Sequence, residues 1–146
     1  MRVLIQRVNR ASVLVGGKTV GQINRGLLVF VGVGQEDTFK DADFFAEKVV
    51  NLRVFDDENG IMNLSLLQKK HEILVVSQFT LYGDCRKGRR PSYSSAMHPD
   101  EAQKYYNRFV DTIRAYGFDV KTGVFQEAMT VCIENDGPVT LYINTD

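Results

Sequence analysis

The sequence predicts an α+β fold: a single domain on a curved or barrel-like, largely antiparallel β-sheet, with two main helices packed outside it. Three observations carry this expectation. Runs of β-type composition recur along the whole chain, only two segments show helical periodicity, and Gly, Asn and Asp punctuate the runs between them. A length of 146 residues, 44% of them hydrophobic, suits one core and is too short for two comfortable ones, so the domain spans 1–146.

The elements follow in order. Val3 to Val8 opens as a strand, and Ser12 to Val15 and Thr19 to Ile23 flank Gly16-Gly17, a pair suited to a hairpin turn with positive φ. Gly26 to Val33 is a near-continuous apolar run that belongs in the middle of a sheet. From Asp37 the period changes. Ala42, Phe45, Ala46 and Val49 recur at helical spacing, with Asp37 or Thr38 able to cap the first turn. Arg53 to Phe55 and Ile61 to Leu66 read as strands around the turn Asp56 to Gly60. Glu72 to Tyr82 is the strongest strand, and an aperiodic loop from Gly83 to about Met97 follows it. Pro99 at a first helical position, Asp100 and Glu101 in the first turn, and Gly117 past the end bracket a second helix. Its apolar face is Ala102, Tyr105, Tyr106, Phe109, Val110 and Ile113. Strands at about Met129 to Glu134 and Val139 to Asn144 then surround Asn135 to Pro138. Parallel strand pairs are compatible with this pattern.

Composition narrows the chemistry. Basic and acidic residues both number 18 and the net charge is zero, so any nucleic-acid contact must come from a local patch. Cys85 and Cys132 are too few for a disulfide framework and lack CxxC spacing, which fits a reducing, cytoplasmic setting. No apolar stretch reaches membrane-spanning length, and the N-terminus has no signal-like hydrophobic region. His71 and His98 are the only imidazoles. Counting therefore removes zinc sites built on several histidines and leaves a Ser/His/Asp triad two candidates.

Two segments have chemical possibilities. Along an extended strand, Gln78, Thr80 and Tyr82 would share one face and Ser77, Phe79 and Leu81 the other. Gln78 and Thr80 could then stand beside a reacting carbonyl, with the Phe79 and Thr80 N–H groups as oxyanion donors. On the segment alone an ordinary half-exposed strand is the favoured reading, since Thr and Gln are common there. Thr80 has no base that spacing can identify, so a covalent mechanism is disfavoured. Asn135-Asp136-Gly137-Pro138 is a run of turn formers. A cis Gly137-Pro138 bond would orient two carbonyls as an ammonium acceptor, although a plain inter-strand loop accounts for the run as well.

The motifs occur together and in order: Gln6-Arg7-Val8, Ser77-Gln78-Phe79-Thr80-Leu81, Arg90-Pro91-Ser92, Thr122-Gly123 with Phe125 and Met129, and Asn135-Asp136-Gly137-Pro138-Val139-Thr140. In this the chain resembles the D-aminoacyl-tRNA deacylase family from end to end. The resemblance implies a cytoplasmic homodimer that hydrolyses D-aminoacyl-tRNA, and glycine misattached to alanine tRNA, without metal or organic cofactor. It implies that Ser77, Gln78, Phe79 and Thr80 form the catalytic segment and that the tRNA 2′-hydroxyl assists the reaction. Gly137 and Pro138, joined by a cis bond, would reach into the partner's site as a chirality filter against L side chains. Arg7 would lie behind that turn and orient it, beside Asn135. Phe125 and Met129 would line the neighbourhood of the adenosine or acyl group, where simple core packing is the alternative.

Arg86, Lys87, Arg89 and Arg90 cluster in the long loop and could meet acceptor-stem phosphates, or form a solvated loop. Two departures from the family pattern stand out: Tyr93 where phenylalanine is common, and Gln126-Glu127 where small residues are common. The second bears on acyl preference. Two rivals remain at this level. One is a noncatalytic module for the aminoacylated tRNA 3′ end; the other is a small esterase pairing Thr80 with His71 or His98.

Overall fold

The computed structural model describes residues 1–145. Its spine is β1 (Arg2–Val15), one strand where the sequence suggested two, burying Val3, Ile5, Val8, Ala11 and Val13. The far half of β1 pairs antiparallel with β2 (Lys18–Ile23) across Gly16 and Gly17, whose φ angles of 55° and 76° require glycine. Its near half pairs antiparallel with β3 (Gly26–Gly32). The chain then forms α1 (Phe39–Asn51), a separate hairpin of β4 (Arg53–Asp56) and β5 (Met62–Ser65), and a single helical turn α2 (Leu66–Lys69). β6 (Glu72–Ser77) returns parallel to β3; α3 (Pro99–Ala115) follows, then β7 (Lys121–Thr122), parallel to β6. β8 (Thr130–Asn144) runs antiparallel along the length of β1.

The sheet is therefore mixed, with its two parallel pairs at β3–β6 and β6–β7. It curls until its edges nearly meet: a β-carbon at Gly21 in β2 would stand 2.5 Å from the Thr122 carbonyl oxygen in β7. Only glycine permits that approach. Apolar clusters occupy both sides of the central strands. Leu27, Val29 and Val31 of β3, with Ile73 and Val75 of β6, face the layer holding Phe45, Phe109 and Ile113. Leu28, Leu74 and Val76 point the other way, toward Val8, Val13 and Ile23. Burial on both faces explains why these strands read as continuous apolar runs.

Local sequence sets the helices. Thr38 caps α1 in a reciprocal box: its hydroxyl accepts the Asp41 N–H at 3.4 Å, and the Asp41 carboxylate accepts the Thr38 N–H at 2.7 Å. The Thr38 hydroxyl also donates to that carboxylate at 2.7 Å, and this bond first, with the N–H bond after it, holds the Asp41 carboxyl below its ordinary range. Asp37 is spent elsewhere, accepting the Met1 ammonium, the Gly34 N–H at 2.7 Å and the Tyr82 hydroxyl at 3.2 Å. On α3 the expected face is buried except Tyr105, half-buried and stacked on Phe39 at 4.4 Å. Arg108 of α3 grips Asp43 of α1 through two bonds of 2.7 and 2.8 Å.

Besides β1, three elements differ from expectation. The strand expected over Glu72 to Tyr82 ends at Ser77, and Phe79–Tyr82 winds into a 3-10 turn, so face alternation stops there. Leu66 starts α2 instead of ending a strand, because Ser65 and Gln68 form a second capping box. The two strands expected around Asn135 to Pro138 are one strand, β8, paired with β1 on both sides of a register slip.

Candidate active site

A pocket of about 620 Å³ opens where β3 and β6 end. Ser77, Gln78 and Phe79 form one wall; Phe125 and Met129 form another, and Ala102 and Tyr106 of α3 contribute a third. Phe79 and Phe125, 46 residues apart in numbering, thus line one pocket. Tyr106 is buried and its hydroxyl donates to the Val75 carbonyl at 2.8 Å, while burial pushes its phenol pKa up. Its ring meets that of Phe125 at 5.9 Å. The lining is mostly apolar, with Glu127 and His98 contributing ionisable groups.

The 3-10 turn changes how Phe79 and Thr80 are presented. Gln78 donates its N–H to Val31 at 2.8 Å, the last rung of the β3–β6 ladder. Within the turn, Leu81 N–H returns to the Gln78 carbonyl at 3.3 Å and Gly83 N–H to the Thr80 carbonyl at 2.9 Å. Such a turn gives its first N–H groups, those of Phe79 and Thr80, no internal acceptor. The side chain of Gln78, at the cap position, makes no capping bond to them. The Thr80 hydroxyl accepts a hydrogen bond from the Gln78 amide, a neutral partner unable to act as a base. The Phe79 ring is exposed and packs edge-on to Tyr93 at 5.2 Å.

Gly137 and Pro138 lie elsewhere. Their peptide bond is cis. Arg7, 6% exposed, sits behind them. Its guanidinium donates to the Gly137 and Asp136 carbonyls, each at 3.3 Å, and to Val54 at 2.7 Å, and it pairs with the Asp136 carboxylate at 2.9 Å. A planar fork with several donors suits this task better than an ammonium. Asn135 accepts from the Gln6 amide at 3.4 Å. Gly137 and Pro138 are exposed, and neither lines the pocket of its own chain. Gly137 does not need glycine's conformational freedom: its φ lies outside the left-handed region, and a β-carbon would meet only the Asn135 amide at 4.0 Å.

The basic loop is exposed and closes on itself through a bridge between Asp84 and Ser92. Arg86 is committed to Asp84 through contacts of 2.9 and 2.7 Å, which draw the Asp84 carboxyl down to about 2. Lys87, Arg89 and Arg90 have no carboxylate partner among the described residues. His71 packs edge-on to Phe55 at 5.1 Å and lines a different cavity, so it is no partner for Thr80. His98 lies at the pocket, exposed, and makes no capping bond to α3.

A family model described as D-Tyr-tRNA(Tyr) deacylase matches residues 4–144. The chain belongs to that family. Among deacylase relatives, D-aminoacyl-tRNA deacylase of Thermosipho africanus is 58% identical and that of Fervidobacterium nodosum 54%. Each match covers 99% of this chain and 97% of the relative. A solved structure of a c-Myc DNA unwinding element binding protein superposes with a TM-score of 0.93 at 41% identity, covering 100% of this chain and 99% of that one. A probable eukaryotic D-amino acid tRNA deacylase shares the fold at TM-score 0.82 and 21% identity, with 97% of each chain covered.

In this deacylase chain the sequence missed Ala102, Tyr106 and Met97 as pocket residues. Ala102 and Tyr106 are four apart on α3, a spacing that reads as core because one face serves both. No helix is long and apolar enough to cross a membrane among the described residues.

Proposed function

We propose that the chain hydrolyses the ester of D-aminoacyl-tRNA, and of glycyl-tRNA mischarged on alanine tRNA, while sparing L-aminoacyl-tRNA. The observation that carries this reading is the pairing of two features. One is a pocket lined by Ser77, Gln78 and Phe79, beside which the 3-10 turn leaves the Phe79 and Thr80 N–H groups without an internal acceptor; the other is an exposed cis Gly137-Pro138 turn held from behind by Arg7. The first suits a carbonyl that becomes an oxyanion, and one such donor is worth on the order of 3 kcal/mol in the transition state. The second suits recognition of an α-ammonium by carbonyls.

Because Gly137 and Pro138 do not line the pocket of their own chain, the reading requires a homodimer in which each turn enters the partner's site. There the turn would exclude an L side chain on steric grounds, and glycine, having none, would pass. An activated ribose ester needs an oriented water and a stabilised oxyanion more than a strong base. Water adds to the carbonyl carbon, the bond to the ribose oxygen breaks, and the adjacent tRNA 2′-hydroxyl assists the proton transfers. Lys87, Arg89 and Arg90, with Arg86 weakened by Asp84, would hold phosphates without reading sequence.

The test is release of amino acid from matched D-tyrosyl-, L-tyrosyl- and glycyl-tRNA, with and without chelator. The reading predicts loss of the D and glycyl esters, the L ester spared, and no effect of chelator. Retained tRNA binding without turnover would point instead to a 3′-end binding module. Turnover abolished by His98→Ala would revive the Thr80 esterase.

A further inference from the structure

The turn that presents Phe79 and Thr80 is itself held by groups outside the pocket. At its end, Tyr82 is 6% exposed and its hydroxyl donates to Asp37 at 3.2 Å. The same carboxylate receives the Gly34 N–H at 2.7 Å, tying Tyr82 to the chain just after β3. Gly34 lies close against the ring: a β-carbon there would fall 2.6 Å from Cζ. Gly32 does the same for the backbone, since its β-carbon would stand 2.8 Å from the Gln78 carbonyl oxygen and 3.3 Å from the Tyr82 ring. Arg2 also places its guanidinium over the Tyr82 ring at 4.4 Å and donates to the Leu81 carbonyl at 2.9 Å.

We propose that Tyr82, clamped by Asp37 and Arg2 on a glycine bed, is a positioning residue that fixes the Phe79 and Thr80 N–H groups for the reaction. The inference rests on the deacylase reading above. A four-residue turn has few bonds of its own, and its aim follows the anchor at its end. Tyr82 contacts no reacting atom in this scheme. Asp37 and Arg2 act through it.

The experiment uses the full-length protein and its Tyr82→Phe variant, which keeps the ring and removes the bond to Asp37, with Arg2→Ala as a second variant. Amide exchange is followed at Leu81 and Gly83, the two amides that bond within the turn. In parallel, single-turnover release from D-tyrosyl-tRNA and tRNA affinity are measured well below the melting temperature. Expected are exchange faster by about tenfold at those two amides, single-turnover rate lower by a similar factor, and unchanged tRNA affinity. A purely structural tyrosine would lower the melting temperature without moving the saturated rate. Unaltered exchange at Leu81 and Gly83, or faster exchange with an unaltered rate, overturns the proposal. Wild-type protein inert toward D-tyrosyl-tRNA would overturn the deacylase reading instead, while exchange would still decide whether Tyr82 holds the turn.

Discussion

Arg7 and Gly137 show how single residues divide the work. Arg7 is buried, with its charge balanced by Asp136 and its remaining donors on main-chain carbonyls, so truncation leaves several acceptors without partners. Arg7→Ala is expected to cost about 2 kcal/mol, read as a fall in melting temperature of roughly 4–8 °C. It should also blur D/L discrimination. Gly137 behaves oppositely. Its β-carbon would meet open space within the chain, so Gly137→Ala should leave the melting temperature within about 1 °C of wild type. D-ester hydrolysis should nevertheless fall at least tenfold. A large stability loss in this variant would mean that the glycine serves the fold. Thr80→Ala, which loses only the bond from Gln78, should slow turnover less than loss of a nucleophile would; complete inactivation of a folded variant would reopen covalent catalysis.

At the scale of elements, local chemistry was legible where it was self-contained. The period-3.6 runs, Thr38 and Pro99 located α1 and α3, and Gly16-Gly17 located the first hairpin. Thr38→Ala should cost about 1 kcal/mol in denaturant unfolding, since it removes half of a capping box. The 3-10 turn was not legible, because its cause is remote: Gly32, Gly34, Asp37 and Arg2 hold a segment whose own residues read as strand. The slip in β8 was likewise hidden, since it depends on pairing with β1. Arg7 and the Asn135 to Thr140 run could be linked only through the family resemblance, never through spacing. In the basic loop, Asp84 is held low chiefly by the Arg86 hydrogen bond, so Arg86→Gln should return its titration toward 3.8 in carboxyl NMR. With the folded pKa depressed, the pair's contribution is present above pH 4 and is lost as pH falls through about 2. Both groups are exposed, and the effect concerns loop order more than global stability.

The whole molecule separates the two features on which the proposed function rests: the pocket lies at the ends of β3 and β6, and the cis turn is exposed on β8. The homodimer proposed above would find apolar area in Ile133, Leu141 and Tyr142, which are exposed on the same strand. The α+β class, the helices and the curled sheet followed from patterning, whereas the separation could not, because it is a property of closure. The measurement that tests the account most directly mixes two variants. Gly137→Ala lacks the filter but keeps the pocket, and Ala96→Trp fills the pocket but keeps the filter. Each alone should be at least tenfold slower than wild type toward D-tyrosyl-tRNA. Unfolded, remixed at equal amounts and refolded, they should recover about a quarter of wild-type activity, because half the two-fold dimers would carry one intact composite site. No recovery from well-folded mixed dimers would contradict a filter acting across the interface and place the whole reaction within one chain.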